Sequence, residues 1–211
     1  MISDDGGTMT NPSKSAGVHL MTFTGTLYGT QIFPTSHLPT PVVLIIAGSG
    51  PTDRNGNGPL AGENNSLKQL AEGLADHGIA SIRYDKRGIG ESSAAGPEEV
   101  DLRFDTYADD AALWIQRLQL DPRFSSVTVI GHSEGSLIGM LATSKVEADA
   151  FVSIAGPAQA ASKILRKQLQ SRLPDPLWLQ SEQILVALEQ GNPVISVPLE
   201  LHMLFRASVQ P

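Results

Sequence analysis

Hydrophobic positions along the chain follow two alternating patterns. A continuous apolar run, typical of a strand buried on both faces, occupies residues 41–48, and three further runs rich in apolar residues predict strands over 79–85, 126–131 and 148–156. Between these runs, apolar residues recur at intervals of three and four, which predicts helices around residues 67–74, 108–115 and 137–142. Strands that alternate with helices form parallel sheets with both faces covered. The pattern therefore predicts an α/β fold, with a mostly parallel, twisted sheet and helices on both faces.

The segments outside this alternation differ in character. Residues 1–17 are polar and carry no periodicity, which predicts a flexible N-terminal tail. Residues 20–33 have the pattern of a short antiparallel strand pair, followed by a proline-rich loop. The last part of the chain has a mainly helical pattern. We therefore predict a tail over 1–17, a core domain over 18–156 and a helical cap or lid segment over 157–211.

Composition narrows the classes of protein to consider. The chain has 211 residues, 41% of them hydrophobic and 18% charged, which is typical of one globular domain. Its net charge of -7 argues against nucleic acid or an anionic membrane as a partner. The absence of cysteine excludes disulfides and cysteine nucleophiles. The acidic N-terminus does not match a signal peptide, and no apolar run could span a bilayer, so we expect a cytoplasmic protein.

One short stretch carries the chemistry. In "VTVIGHSEGSLIGML", residues 127–141, a predicted strand runs through Gly-His-Ser-Glu-Gly directly into a predicted helix. G-x-S-x-G in this context is the nucleophile elbow, a strained turn that lifts the serine above the sheet. Only glycine at Gly131 and Gly135 leaves room for so tight a corner, and the helix N-terminus behind Ser133 favours negative charge. The motif predicts that Ser133 is a nucleophile.

The chain resembles the esterase-like serine hydrolases of the α/β-hydrolase superfamily. Four segments carry the likeness: "LIIAGSGPTDRNGN" (44–57), "SIRYDKRGIGES" (81–92), "VTVIGHSEGS" (127–136) and "VSIAGPA" (152–158). The resemblance implies that Ser133 attacks a carboxylic ester of a small molecule and forms an acyl-enzyme. It also implies an oxyanion hole formed by the backbone N–H groups of Ser49 and Glu134. No metal and no cofactor are expected.

The glycine-rich segment after the first buried strand has one further interpretation. Asp53, Asn55, Asn57 and Gly58 match the first positions of a calcium-binding loop, but Asn64 occupies the place of its bidentate glutamate. The segment also lacks the lysine of a phosphate-binding loop. An oxyanion loop, in which glycines allow close backbone approach, is the better interpretation.

The sequence does not identify a general base for Ser133. Asp85 and Arg87 are best interpreted as ions that hold neighbouring loops, and His132 points away from its neighbour in a tight turn. In this fold the acid and then the histidine follow the serine along the chain. The later candidates all lie in helical, lid-like sequence: Asp175, Glu189, Glu200 and His202. We interpret His202 as a lid residue.

We therefore expect that the strands carrying the acid and the base are missing from this chain. The run at 148–156 would then form an exposed apolar sheet edge, and we expect an oligomer or a swapped partner to cover it. Two classes of function stay open. The first is an ester hydrolase, with a thioesterase or a serine peptidase as variants. The second is a non-catalytic or inactive α/β-hydrolase-like protein that binds a small molecule or partner.

Overall fold

The computed structural model describes residues 13–35, 39–59, 62–98, 101–202 and 204–206, and these form two compact units. Unit 1 comprises the chain up to Gly96 together with Phe104–Gly156. Unit 2 comprises Pro97–Arg103 and the chain from Pro157 onward. Most of the predicted tail lies outside the described residues. Its last part does not form a tail, because the first strand begins at Lys14.

Unit 1 is built on a six-stranded sheet. Its strands are β1 (Lys14–Thr22), β2 (Gly25–Phe33), β3 (Thr40–Ile46), β4 (Ala80–Tyr84), β5 (Phe124–His132) and β6 (Ala150–Ile154). Their order in the sheet is β1-β2-β4-β3-β5-β6. The strands β4, β3, β5 and β6 are mutually parallel, whereas β1 and β2 form an antiparallel pair that joins β4. The predicted α/β fold with a mostly parallel sheet is confirmed.

Helices cover both faces of this sheet, because strands such as β3 carry apolar side chains on both faces. The helices of unit 1 are α1 (Ser66–Asp76), α2 (Phe104–Gln119) and α3 (Glu134–Lys145), with a 3₁₀ turn over Gly90–Ala95. Side chains alternate across a strand. Val42, Leu44 and Ile46 therefore join one core cluster with residues of α2 and α3. Val43 and Ile45 join a second cluster with residues of α1.

The strand β6 lies at one edge of the sheet and pairs with β5. Its large apolar side chains are substantially exposed, at 36% for Phe151, 43% for Val152 and 38% for Ile154. The strand contains no charged residue and no proline, the residues with which proteins protect sheet edges. Within the described part of the chain, this edge is apolar and unprotected.

Unit 2 consists of two helices and a short 3₁₀ turn around a small core. The elements are α4 (Ala161–Gln170), α5 (Asp175–Glu189) and the turn Leu199–Leu201. Arg166 on α4 forms ion pairs with Glu182 and Glu189 on α5, at 2.9 and 2.7 Å. The mainly helical pattern predicted for the last part of the chain is wrong over the described residues from 197 onward, where the backbone at Pro198 is not helical and one 3₁₀ turn follows. None of the helices in the described ranges is both long and apolar enough to cross a bilayer.

Candidate active site

A sharp corner joins the central sheet to α3. The strand β5 ends at His132, and α3 begins at Glu134, so one residue makes the turn. That residue, Ser133, has φ of 53° and ψ of −122°, a backbone conformation that residues other than glycine rarely adopt. Its N–H donates to the carbonyl oxygen of Ile154 on β6, at 2.9 Å. Strain of this kind persists only where the surroundings hold it, and it is concentrated at functional sites.

Close backbone packing holds the corner in place. A Cβ atom on Gly135 would lie 2.6 Å from the carbonyl oxygen of Ala47, and closer still to that of Ile46. A Cβ atom on Gly131 would collide in the same way with the backbone of Gly135. Both positions therefore require glycine, as the motif predicted. The hydroxyl of Ser136 fastens the turn further by donating to the carbonyl oxygen of Gly131 at 2.6 Å.

The loop after β3 lies directly against the corner. Gly48 is buried, and a Cβ atom built on it would lie 3.3 Å from the Cβ of Ser133 and 3.3 Å from Nδ1 of His132. Ser49, the next residue, is exposed. Among the described residues, neither the N–H of Ser49 nor that of Glu134 has a hydrogen-bond acceptor. These two donors belong to the segments that flank Ser133 on either side.

A buried lysine that the sequence patterns did not single out connects these same segments. The side chain of Lys86 is 3% exposed, and its ammonium donates to the carbonyl oxygen of Gly48 at 2.6 Å. The same ammonium pairs with Oε1 of Glu134 at 2.9 Å. Tyr107 lies beside this pair, with its ring centroid 5.3 Å from the ammonium nitrogen. Burial, followed by the charges of Glu134 and Asp110, raises the pKa of the Tyr107 hydroxyl to about 12.

The charged residues that follow β4 hold loops together. The carboxylate of Asp85 accepts hydrogen bonds from the N–H groups of Arg54 at 2.8 Å and Glu91 at 3.0 Å. It also pairs with the guanidinium of Arg54 at 2.9 Å. Arg87 makes two hydrogen bonds to the buried carboxylate of Asp110, at 3.0 and 2.6 Å. The structural interpretation of Asp85 and Arg87 is confirmed.

In the segment that resembled a calcium-binding loop, side-chain oxygens accept hydrogen bonds from the chain itself. Oδ1 of Asp53 accepts hydrogen bonds from the N–H groups of Asn55 and Asn57, both at 2.8 Å. The side-chain oxygen of Asn55 accepts a further bond from Arg83 at 3.1 Å. Among the described residues, no group of three or more His, Asp or Glu side chains could hold a metal ion. The loop is a turn closed by its own carboxylate.

The histidines of the described chain have varied surroundings. In the described part of unit 1, no imidazole nitrogen hydrogen-bonds to the hydroxyl of Ser133. His132 is the last residue of β5 and directly precedes Ser133 in the chain. Nδ1 of His77 lies 2.8 Å from the carbonyl oxygen of Gly73 on α1. His202 is exposed and follows the 3₁₀ turn of unit 2. His37 lies outside the described residues.

Known proteins resemble this chain in sequence and in fold. A model of the serine aminopeptidase family S33 matches residues 60–193, which is more than half of the chain. Esterase EstD of Thermotoga maritima is 31% identical over 144 residues, a match that covers 68% of this chain and 34% of that esterase. The chain therefore spans about a third of the length of this curated relative.

Two solved structures illustrate the likeness in fold. The esterase PF2001 of Pyrococcus furiosus has a TM-score of 0.60 at 20% identity, over 79% of this chain and 60% of that one. The α/β hydrolase GrgF from Penicillium sp. sh18 has a TM-score of 0.58 at 20% identity, over 86% of this chain and 57% of that one. At this identity the structures support the fold alone. The fold and the elbow at Ser133 are consistent with the match of the family model, which covers more than half of the chain. The chain therefore belongs to the serine aminopeptidase S33 family of the α/β-hydrolase superfamily.

Proposed function

We propose that Ser133 is the nucleophile of an acyl-transfer reaction on carboxylic esters. The observation that carries the proposal is the strained turn at Ser133, flanked by two backbone N–H groups that have no acceptor among the described residues. Strain at a single non-glycine residue costs about 1–3 kcal/mol, so a turn that keeps it favours a functional role. The esterase that resembles the chain supports an ester as the substrate.

The reaction has two halves. In the first, Oγ of Ser133 attacks the ester carbonyl carbon while a base takes its proton. The tetrahedral intermediate then expels the alcohol, which leaves with that proton, and an acyl-serine remains. In the second half, water attacks the acyl-serine, the carboxylic acid is released and the serine hydroxyl is restored. The overall reaction consumes one ester and one water, and it yields one acid and one alcohol.

The negative charge of each tetrahedral intermediate needs donors at the right place. We propose that the N–H groups of Ser49 and Glu134 provide them, as the resemblance implied. Removing one donor of an oxyanion hole typically costs about 2.7–4 kcal/mol of transition-state stabilisation. The N-terminus of α3 adds a partial positive charge beside the same atoms.

The base is proposed to come from outside the described part of unit 1. A serine hydroxyl is a weak nucleophile until an imidazole accepts its proton. An imidazole added to the solution can supply that function, so the test should include it. This separates the chemistry of the elbow from the question of which histidine serves it.

The experiment measures labelling of the chain by a fluorophosphonate and hydrolysis of p-nitrophenyl esters, each with and without added imidazole. We expect labelling that is accelerated by imidazole and abolished in Ser133→Ala. The matched control is Ser125→Ala, because Ser125 is an exposed serine on β5, the strand that leads into Ser133; this variant should label like the wild type. A folded wild-type chain that does not label under any condition would refute the proposal and favour the second class, a non-catalytic binding protein.

The variants of the hydrolase class differ in the leaving group. The family name refers to serine aminopeptidases, and the similar curated protein is an esterase. We propose ester hydrolysis, with thioester and amino-acid p-nitroanilide substrates as comparison arms. Faster turnover of either arm than of the matched ester would replace the proposal with a thioesterase or an aminopeptidase.

We also propose that a second copy of the chain covers the edge of β6 by strand pairing. The strand exposes unpaired backbone groups beside apolar side chains, and it carries no charge that would prevent pairing. Sedimentation at several concentrations tests this. A monomer at all concentrations would contradict it.

A further inference from the structure

We propose that Lys86 is a positioning residue that aims both donors of the oxyanion hole. The inference rests on the proposed function, because it assigns a role within the same acyl-transfer site. Among the described residues, no hydrogen bond or ion pair joins Lys86 to Ser133. It contacts the two segments that carry the donor N–H groups, through Gly48 on one side and Glu134 on the other.

The first contact fixes the direction of a peptide plane. The carbonyl of Gly48 and the N–H of Ser49 belong to the same peptide unit, and in a trans peptide these two groups point in opposite directions. The ammonium of Lys86 holds the carbonyl oxygen at 2.6 Å. Rotation of this peptide would break that bond, so the N–H of Ser49 stays directed away from Lys86. A cation on the carbonyl also polarises the peptide, which strengthens its N–H as a donor.

The second contact holds the start of α3. Oε1 of Glu134 lies 2.9 Å from the ammonium, and the backbone of Glu134 carries the second proposed donor. The two donors therefore share one anchor. Movement of the Gly48 loop relative to the elbow would stretch one of the two bonds to Lys86, and the separation of the donors is thereby restrained.

The burial of Lys86 indicates that these two bonds matter. A buried ammonium loses most of its hydration, and an ion pair offsets that loss only when its geometry is good. The neighbouring carboxylate of Asp85 is already engaged with Arg54 and Glu91. Glu134 is the carboxylate that pairs with this ammonium, and Tyr107 presents its ring to it. A lysine on the surface is hydrated by solvent, whereas Lys86 depends on these protein groups to stabilise its charge.

The test compares Lys86→Met with the wild type by fluorophosphonate labelling in the presence of imidazole. The rate at saturating probe and the probe concentration for half-saturation are measured separately. Because the donors act on the charge that develops in the transition state, we expect the saturating rate to fall at least tenfold and the half-saturating concentration to stay within about twofold. Lys68→Met, an exposed lysine on α1, is the matched control and should label at the wild-type rate.

A rescue experiment distinguishes an orienting role of Lys86 on the two N–H groups from a contribution to the stability of the fold alone. Lys86→Ala removes three carbons and the ammonium, which n-propylammonium can replace, whereas tetramethylammonium supplies charge without an N–H. We expect n-propylammonium alone to restore the rate. If Lys86→Met and Lys86→Ala do not fold, Glu134→Ala decides, since it keeps the backbone donor and removes the anchor; a rate several-fold lower would support the inference.

The failures are distinguishable. If the folded wild type does not label, the proposed function fails. If the wild type labels and the lysine variants label equally fast, only the role of Lys86 is overturned. A loss of rate that neither ammonium ion restores, together with a lower urea midpoint and a raised half-saturating concentration, would show a merely structural lysine and would also overturn it.

Discussion

Substitution of Gly135 by alanine tests the geometry of the elbow directly. A Cβ atom at this position would lie 2.6 Å from the carbonyl oxygen of Ala47, and the carbonyl carbon and oxygen of Ile46 would also be within 3 Å. All of these are backbone atoms at the end of β3. That strand is hydrogen-bonded on both sides, to β4 and β5, so it cannot move away without breaking sheet contacts.

The magnitude follows from two opposing effects. Alanine is favoured over glycine within a helix by about 0.5–1 kcal/mol. Overpacking against atoms that cannot yield costs typically about 1–3 kcal/mol and sometimes more. Because every atom in the clash at Gly135 belongs to the backbone, we take the upper end of the steric cost, about 3 kcal/mol, and after subtraction of the helix preference we expect a net loss of about 2 kcal/mol in the free energy of unfolding. With a urea dependence of about 2 kcal/mol/M, the midpoint should fall by about 1 M.

Two other helical glycines calibrate this expectation. At Gly73, on the exposed face of α1, an added Cβ would meet nothing within 4 Å, so Gly73→Ala should raise the stability by about 0.5–1 kcal/mol. At Gly139 the nearest atoms are ends of the side chains of Phe151 and Val129, which can rotate, and the change should be within about 1 kcal/mol.

The assay is urea unfolding of the three variants, followed by circular dichroism. The expected order of midpoints is Gly73→Ala, wild type, Gly139→Ala and then Gly135→Ala. A Gly135→Ala chain as stable as the wild type, with unchanged labelling at Ser133, would refute the placement of α3 against the end of β3.

Three further predictions concern charge, the sheet edge and pH. Asp110→Asn leaves the buried guanidinium of Arg87 without a charged partner and should cost about 3–5 kcal/mol in urea unfolding, whereas Asp109→Asn, in an exposed pair with Lys145, should cost at most about 1 kcal/mol. Val152→Lys should weaken self-association measured by sedimentation, while Ser125→Lys on β5 should not. Hydrogen bonds from Arg166, and then from Ser162, lower the pKa of Glu189 to about 2, so its stabilising effect is complete above its ordinary pKa of 4.5 and is lost as the pH falls to about 2. The difference in thermal stability between wild type and Glu189→Gln should vanish over that range, and a difference that persists at pH 2 would contradict the prediction.

The sheet could be predicted because a strand that is buried on both faces has an apolar sequence with few polar residues. The runs at 41–48 and 126–131 correspond to β3 and β5 at the centre of the sheet, where every second side chain enters a different core cluster. The beginning of β1 could not be predicted in this way. Residues 14–17 are exposed, so no hydrophobic pattern marks them, and they are strand only because they pair with β2.

The incorrect helix in unit 2 has a different origin. Val197, Leu201 and Phe205 recur at intervals of four, as on a helical stripe, and all three are buried in the core of unit 2. The spacing therefore reports burial correctly. Pro198 disfavours helical backbone at Val197, the residue before it, and the chain brings these side chains to the same core by a non-helical stretch and one 3₁₀ turn.

The candidate site was only partly visible in the sequence, for a reason that lies in the topology. Gly48, Lys86 and Glu134 each lie two residues beyond the end of a strand, namely β3, β4 and β5. These strands are adjacent and parallel with β3 in the middle, so their carboxyl ends meet at one edge of the sheet. A side chain that starts above β4 must cross above β3 to meet one that starts above β5, and strands are about 4.8 Å apart. Two long side chains of opposite charge span that distance with the Gly48 carbonyl between them. No local pattern records this, because a lysine in a loop is usually a solvated surface residue. Once the strand order is known, however, the equal offsets from the strand ends bring these three residues together, and the two contacts of Lys86 on which our proposal rests follow from the order of the strands.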